Sequence, residues 1–292
     1  MRAIDLHSHS LKSDGTFSPS ELMAYAAKKN LKAIALTDHD TTAGLNEAAD
    51  WVRRYAPQME LVPGIEFSTI FRIHEEDHDI HVVGLFINYH LERFQQNLRH
   101  FIESRITRNH KMCEKLTEAG MPVTYEQLMR EFQDGVITRA HYGRYLFNHG
   151  YVKSIKEAFE KYIGEGCPCY VPREKVTPVD AVRMIREAEG VPVLAHPMLY
   201  RLPDADLRVL LRTMKEAGLV GIETIYPTHT EADERYIRKL AQEFDLRISG
   251  GSDFHGENKP GLDLATGYGH LFVPEDLLEK LREKRILPGV SK

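Results

Sequence analysis

Histidine and carboxylate side chains recur just after short apolar runs along this 292-residue chain. Five apolar runs are each followed by such a side chain within four residues: AIDL, AIAL, LVPGI, VPVLA and RISGG. The side chains are His7, His9, His39, Glu66, His196, Asp253 and His255. Neutral imidazole and carboxylate are the ligands that zinc, manganese and iron take in proteins. Because five separate runs carry such residues, the pattern predicts a divalent-metal site.

The spacing of these residues suits shared coordination. His7 and His9 are two residues apart, so on a strand their side chains point to the same side. Asp253 and His255 repeat this spacing. A carboxylate such as Glu66 can bridge two ions about 3.5–4 Å apart. The alternative is that each histidine is an ordinary surface or capping residue, which becomes a weak explanation when five runs share the feature.

The elements that would position these residues alternate between strands and helices. The predicted strands are Ala3–Leu6, Ala33–Leu36, Glu60–Ile65, Val191–Ala195, Gly221–Thr224 and Arg247–Ser249. Helical patterns separate them, and the first opens on a capping box with proline, Ser18-Pro19-Ser20-Glu21. This alternation predicts βα units around a mainly parallel sheet. In a βα barrel the carboxyl ends of the strands meet at one rim, where active sites are built.

The middle of the chain lacks strand patterns. Helical spacing covers about residues 91–119, 125–132, 139–148 and 156–162. We therefore expect a discontinuous α/β domain over residues 1–90 and 167–292, interrupted by a helical insertion over residues 91–166. Arg139 and His141 open one of the predicted helices of the insertion.

Composition limits the partners and the cellular setting. The formal net charge of -5 disfavours binding of duplex nucleic acid, and no apolar run has the roughly 20 residues that span a membrane. The three cysteines and the lack of a leader sequence predict a cytoplasmic protein. Cys167 and Cys169 lack the second pair that a zinc site of this type needs, which disfavours metal binding there. No obligate protein partner is evident.

The ordered motifs DLHSHS-x3-DG, LTDHD, PGIEFS, IHVVG, LAHP and GGSDFH resemble those of the PHP (polymerase and histidinol phosphatase) family. They span almost the whole chain apart from the helical insertion. The resemblance implies a distorted (β/α)7 barrel, here with an inserted helical domain, and two to three divalent ions at its rim. Manganese, zinc and iron are the expected metals.

The resemblance also implies three sets of ligands. The first is His7, His9, Glu66 and Asp253; the second is Glu66, His81 and His196; the third is Asp14, His39 and His255. His81 lies at the start of its apolar run, so it reaches the same rim only if that strand runs antiparallel. His78 is a weaker rival for this position. Asp38 and Asp40 are candidates to orient ligand histidines, although Asp40 is equally compatible with a solvated loop.

Within the family, the insertion is similar to a branch that includes nucleoside 3′,5′-bisphosphate phosphatases and RNase AM, a 5′-3′ exoribonuclease. The stretches TRAHYGRYL and KYIGEGCPCYVP carry this likeness. It favours phosphate binding by Arg139 and His141, since arginine pairs bidentately with phosphate and helix N-termini favour anions. The alternative is a surface ion pair and a capping histidine. Weaker candidates for the same pocket are Arg173, Lys175, Arg201 and His229. Thr138 and Met198-Leu199 depart from the branch's usual small residues.

The predicted activity is hydrolysis of a phosphate monoester or diester by a metal-bridging hydroxide. A nucleotide, in particular a nucleoside 3′,5′-bisphosphate, or a short 5′-phosphorylated oligonucleotide is the expected substrate. The alternatives are a barrel hydrolase acting on a C–N or C–O bond, a histidinol-phosphate-type phosphatase, and a non-catalytic binding module. The complete set of ligands argues against the last.

Overall fold

An eight-stranded sheet forms the centre of the fold in a computed structural model that describes residues 3–132, 136–172 and 176–286. The strands are β1 (Ala3–Asp5), β2 (Ala33–Leu36), β3 (Glu60–Ile73), β4 (Glu76–Leu85), β5 (Val191–Leu194), β6 (Gly221–Ile225), β7 (Arg247–Gly250) and β8 (Val273–Pro274). Their order in the sheet is β7-β6-β5-β4-β3-β2-β1-β8. The long sheet with helices between its strands confirms the predicted distorted βα barrel.

The sheet curves until its first and seventh strands meet. The backbone N–H of Leu6 donates to Gly250 O at 3.2 Å, and that of Asp253 donates to His7 O at 2.8 Å. Gly251 makes this approach possible, because a Cβ atom there would lie 2.5 Å from His7 Cβ. The closure therefore brings the residues that follow β7 beside those that follow β1.

Helices connect the strands as the sequence predicted, with small differences at their ends. Their bounds are α1 (Pro19–Lys28), α2 (Leu45–Tyr55), α3 (Glu92–Glu118), α4 (Tyr125–Glu131), α5 (Arg139–Asn148), α6 (Ile155–Ala158), α7 (Pro178–Glu187), α8 (Asp204–Ala217), α9 (Glu231–Glu243) and α10 (Asp276–Arg282). α6 continues into a π-helical turn, Phe159–Ile163. The Ser18–Glu21 capping box at the start of α1 is present. Among the described residues, no helix is both long and apolar enough to cross a membrane.

The strands β3 and β4 form a long antiparallel hairpin that periodicity did not predict in full. β3 continues to Ile73, beyond the predicted end at Ile65, and turns through His74 and Glu75, which both have positive φ. β4 is antiparallel to β3 and also to β5, whereas β1–β2, β2–β3, β5–β6 and β6–β7 are parallel. The reversal places His81 opposite Ser68, just beyond Glu66 at the site end of the barrel.

Alternate residues of the strands face two separate apolar layers. Ile34 and Leu36 of β2 belong to the layer that α1, α2 and α7 to α9 cover, while Ala33 and Ala35 belong to the barrel interior. This is the period of two expected for strands that are buried on both faces. α10 contributes Leu277, Leu278 and Leu281 to the interior layer.

A helical segment, defined here as α3 to α6 with the π-helical turn, separates β4 from α7. No strand occurs among its described residues. Its far part has an apolar cluster of its own around Tyr142 and Leu146, built from side chains between Met112 and Val171. The start of α3 packs instead on the barrel layer through Phe94 and Leu98.

Candidate metal centre

The structure brings all nine predicted metal ligands together at one end of the barrel. This metal centre contains three groups, each named here after one of its members. The potential ligand atoms of a group lie no more than 4.8 Å from one another. The Asp253 cluster is His7, His9, Glu66 and Asp253; the Asp14 cluster is His9, Asp14, His39 and His255; the His81 cluster is His39, Glu66 and His81. The role of these residues as ligands remains a prediction.

In the Asp253 cluster, ring nitrogens and carboxylate oxygens converge on one point. The Nε2 atoms of His7 and His9 each lie 3.1 Å from Glu66 Oε2. They lie 3.5 and 3.3 Å from Asp253 Oδ1. All four side chains are buried. Asp253 holds its position with a φ of 53°, a conformation that residues other than glycine rarely adopt and that is often found at functional sites.

The Asp14 cluster lies on the other side of His9. His255 Nε2 is 3.2 Å from Asp14 Oδ1, and His9 Nδ1 and His39 Nε2 are each 3.8 Å from a carboxylate oxygen of Asp14. His9 therefore belongs to two clusters, whereas the family resemblance placed it in one. Gly15 allows the turn that presents Asp14, since a Cβ atom there would lie 2.4 Å from His9 O.

Glu66 joins the clusters through its two oxygens. Oε2 faces His7 and His9, and Oε1 lies 3.0 Å from His81 Nδ1 and 3.2 Å from His196 Nε2. This geometry is compatible with the predicted bridging role. His78 lies away from the centre, partly exposed and 4.0 Å from Glu76, so the structure favours His81 over His78.

Buried polar atoms in the centre fit a divalent cation. Within the described part of the chain, His7 Nε2, His9 Nε2 and Asp14 Oδ1 are buried and make no well-aligned hydrogen bond, although each lies 3.1–3.2 Å from an oxygen or a ring nitrogen. Burial costs such atoms free energy unless a partner is present, and a metal ion is a partner that neutral imidazole and carboxylate both accept. The donor set contains only nitrogen and oxygen, which suits manganese, zinc or iron.

The electrostatic field of the centre also favours cations. Burial lowers the pKa of His7 and His9, but nearby carboxylates outweigh it, chiefly Glu66 and Asp253. The pKa of His7 is well above its usual value, and that of His9 is raised to about 9. Burial alone would raise the pKa of Glu66, yet His7, His39 and His81 hold it well below its usual value. The same negative potential attracts divalent ions.

A cavity rich in arginine adjoins the metal centre. Its lining includes Asp14, His39 and His81 on the barrel side, and Arg105, Arg108 and Arg139 from the helical segment. Arg105 and Arg108 are one helical turn apart on α3, and Arg139 is the first residue of α5. The Arg139 guanidinium contacts Asp79 and lies 5.4 Å from the centre of the Tyr170 ring.

Comparison with known proteins assigns the fold to a family. The model of the PHP domain matches residues 5–166, more than half of the chain. This chain belongs to the PHP domain family. A 5′-3′ exoribonuclease from Haemophilus influenzae is 36% identical over 251 residues, covering 86% of this chain and 89% of the relative. A 3′,5′-nucleoside bisphosphate phosphatase from Chromobacterium violaceum is 34% identical over 265 residues, covering 90% and 91%.

Solved structures extend the match across the whole PHP chain. A protein from Chromobacterium violaceum, described as an amidohydrolase with bound sulfate and no metal, is 32% identical with a TM-score of 0.83, covering 98% of both chains. A protein from Bifidobacterium adolescentis, described as a metal-dependent phosphoesterase, is 25% identical with a TM-score of 0.82 and the same coverage. The predicted PHP family and the prediction of a hydrolase of the phosphoesterase class are therefore confirmed.

Several residues that support the PHP metal centre were missed by sequence reasoning. Glu223 of β6 accepts from His7 Nδ1 at 3.1 Å and from the His196 backbone N–H at 2.8 Å. Tyr226 and Lys259 both donate to Asp253 Oδ2. A carboxylate inside the apolar run GIETI was a signal for Glu223, because charged residues are rarely buried unless they are paired. Nothing in the local sequence indicates Tyr226, Lys259, Arg105 or Arg108.

Asp38 and Asp40 are both buried beside the metal centre. Asp38 accepts from the backbone and hydroxyl of Ser10, both at 2.7 Å, and from the Ser13 hydroxyl at 2.8 Å, so it shapes the loop before Asp14. Asp40 is fully buried and contacts Arg105, which excludes a solvated loop charge. The role of Asp38 and Asp40 in orienting ligand histidines stays a prediction, for which the structure offers a link from Asp38 through Ser13, whose Oγ lies 3.5 Å from His9 Nδ1.

The remaining predicted phosphate-binding residues are dispersed. His141 accepts from the Thr138 backbone N–H at 3.0 Å and lines a different cavity from Arg139, together with Phe132 and Arg144. Arg201 is exposed at the surface. His229 is buried, with Nδ1 2.9 Å from Thr224 O. Arg173 and Lys175 lie outside the described residues.

Cys167 and Cys169 hydrogen-bond to different backbone carbonyls and share no metal-binding group in the described part of the chain.

Proposed function

We propose that this PHP protein hydrolyses a phosphate ester of a nucleotide, with a nucleoside 3′,5′-bisphosphate or a short 5′-phosphorylated oligonucleotide as substrate. The observation that carries the proposal is the continuous cavity whose lining joins Asp14, His39 and His81 to three arginines. One phosphate group would lie at the metal centre while a second pairs with guanidinium groups. A substrate with two phosphates separated by a sugar has this layout, and the named activities of the two relatives support it.

Two to three divalent ions, held by the nine predicted ligands, would supply a hydroxide nucleophile and Lewis acidity at neutral pH. The protein's own contribution is to hold and orient. Glu223 fixes the tautomer of His7 by accepting from Nδ1, which directs Nε2 towards the Asp253 cluster. Tyr226 and Lys259 engage Asp253 Oδ2, which leaves Oδ1 facing His7 and His9.

The arginine cavity provides recognition from two helices. Arg105 and Arg108 approach from α3, and Arg139 approaches from the N-terminus of α5, where backbone N–H groups also favour an anion. A guanidinium presents a planar set of donors that matches two phosphate oxygens. A phosphate that enters would compete with Asp79 for Arg139, and the Tyr170 ring would keep the guanidinium in place.

A hydrolase acting on a C–N or C–O bond is the second candidate, because one solved neighbour is described as an amidohydrolase. Its metal centre would need the same ligands. The three arginines distinguish the two functions, since an uncharged substrate would place no anionic group beside them. The structure offers no separate reason to favour a histidinol-phosphate-type phosphatase.

The test is a direct comparison of substrates in added manganese. Adenosine 3′,5′-bisphosphate, a short 5′-phosphorylated RNA, p-nitrophenyl phosphate, bis(p-nitrophenyl) phosphate and p-nitrophenyl acetate are each incubated with the wild type and with Asp253→Ala. We expect turnover of the bisphosphate or the RNA at a kcat/KM well above that of the aryl phosphates. Metal-dependent turnover of the acetate alone would overturn the proposal. The variant controls for contaminating phosphatases.

A further inference from the structure

Thr138, the residue before α5, reaches from the helical segment into the metal centre. Its hydroxyl donates to Asp14 Oδ2 at 3.2 Å, and both side chains are at least nine-tenths buried. The other oxygen, Asp14 Oδ1, faces His255 Nε2 at 3.2 Å but makes no well-aligned hydrogen bond among the described residues. The Thr138 hydroxyl thus holds one oxygen of the Asp14 carboxylate, and the other oxygen faces the Asp14 cluster.

We propose that Thr138 is a positioning residue that sets the metal affinity of the Asp14 cluster, an inference that rests on the proposed function. A carboxylate on a turn can rotate about χ2, and each rotation exchanges the oxygen that faces His255. The hydroxyl of Thr138 removes this freedom, because its single hydrogen is directed at Oδ2. A group that orients a ligand in this way commonly changes metal affinity by about 10- to 100-fold.

The effect should be confined to one part of the centre. The carboxylate of the Asp253 cluster is held by Tyr226 and Lys259, which lie on the barrel side. Glu223, on β6, supports His7. None of these contacts involves the helical segment. Removing the Thr138 hydroxyl should therefore weaken one ion and leave the binding of the other ions unchanged.

A second contact links the helical segment to the same cluster. The Arg105 guanidinium is 3.1 Å from Ser68 Oγ, which lies 3.4 Å from His39 Nδ1. Two members of the Asp14 cluster, Asp14 and His39, are thus supported from α3 and α5. Because Thr138, Arg105 and Arg139 line one cavity, the segment that would bind the distal phosphate also supports this metal site.

A role in helix capping alone is the competing explanation for Thr138. Its backbone N–H donates to His141 Nδ1, a contact that does not need the hydroxyl. Thr124 offers a matched control, since it is the N-cap of α4 in the same segment and forms a capping box with Gln127 at an exposed position. Loss of a threonine cap lowers the stability of the fold at either position.

The experiment titrates manganese into metal-free protein by calorimetry and counts bound ions by electron paramagnetic resonance. For Thr138→Val we expect one class of site to weaken about 10- to 100-fold while the others match the wild type. Thr138→Ser should bind all ions normally, and Thr124→Val should do so despite its lower melting temperature. Thr138→Ala repeats the test if valine prevents folding.

The outcomes separate this inference from the proposed function. If Thr138→Val and Thr138→Ala bind every ion as the wild type does, Thr138 does not position Asp14, although the protein can still be a metal-dependent phosphoesterase. Weakening of all sites alike, or equal weakening in Thr138→Ser, would also overturn the inference. If the wild type binds no divalent ion, the proposed function fails and this inference fails with it.

Discussion

The ammonium nitrogen of Lys259 lies 2.5 Å from Asp253 Oδ2, on the side of that carboxylate opposite the histidines. Tyr226 donates to the same oxygen at 2.7 Å. Burial would raise the pKa of Asp253, but Lys259, His7 and His255 outweigh it and hold this pKa well below its usual value. Asp253 therefore stays ionised, with Oδ1 oriented towards the Asp253 cluster.

Replacement of Lys259 by methionine should lower kcat/KM by about 10- to 100-fold, because Asp253 loses one of the two donors that hold Oδ2. Lys259→Arg should retain part of the activity. Lys29→Met is the matched control, since Lys29 makes a similar ion pair outside the metal centre, with its Nζ 2.6 Å from Asp263 Oδ2. Steady-state kinetics on the best substrate measures the effect. Equal losses in the two methionine variants would indicate a general effect of removing a paired lysine.

Removal of divalent ions should abolish activity, and manganese should restore it. We expect two to three ions per chain, because eight of the nine predicted ligands form three groups that share His9, His39 and Glu66, and His196 contacts Glu66. Elemental analysis after manganese loading and desalting measures the stoichiometry. Fewer than one ion per chain would contradict the assignment of the metal centre.

His9→Ala and Asp253→Ala should each lower kcat by orders of magnitude while the fold persists. Both residues lie at the rim, outside the packed interior of the barrel, and metal chemistry supplies several kcal/mol of the rate enhancement. Circular dichroism and melting temperature monitor the fold. His74→Ala serves as a control, because His74 is exposed and pairs with Asp206 at the surface. Retention of more than about a tenth of the activity would refute the ligand assignment.

Arg139→Ala should impair substrates with two phosphates far more than p-nitrophenyl phosphate, which has no group to reach the arginine cavity. A charge-assisted contact contributes roughly 1.5–3 kcal/mol, so the loss of kcat/KM should be about 10- to 150-fold. Lysine should rescue only in part, because it keeps the charge but not the planar donors. Arg93→Ala is the matched control, since Arg93 pairs with Glu187 on the exposed surface. If kcat/KM fell equally on both kinds of substrate, Arg139 would have a structural role and would not bind the second phosphate.

His141 should make the stability of the apo protein depend on pH. Burial lowers the pKa of His141 from 6.5 to about 4, so between these values the unfolded chain binds a proton that the folded chain does not. The contribution is fully present above about pH 6.5 and is lost as the pH falls towards 4. It amounts to up to about 3 kcal/mol, since one pKa unit corresponds to about 1.4 kcal/mol.

The measurement compares urea unfolding of the wild type and His141→Gln at pH 7.5 and 5, both without metal. Glutamine keeps an acceptor for the Thr138 N–H but does not titrate. The variant should lose less stability than the wild type on acidification. An identical pH dependence in the two proteins would show that His141 titrates equally in the folded and unfolded states.

The chemistry of the protein was largely predictable from its sequence. Metal ligands must be particular residue types, and strand ends in a βα barrel meet at one rim, so His7, His9, Glu66 and Asp253 could be placed at one site without coordinates. Family motifs added Asp14 and His81. The division into a barrel over residues 1–90 and 167–292 and an insertion over residues 91–166 remains a proposal, supported by the separate apolar cluster around Tyr142.

Only the tertiary structure decided which side chains face one another across elements. The antiparallel β4, set by its pairing with β3 and β5, brings His81 to Glu66. The packing of α3 on the barrel turns Arg105 and Arg108, which the sequence presents as charges on a helix, into the lining of a cavity beside the metal centre. The placement of the α5 N-terminus against the barrel gives Thr138 a bond to Asp14. Periodicity describes the faces of single elements, whereas these contacts depend on how distant elements pack.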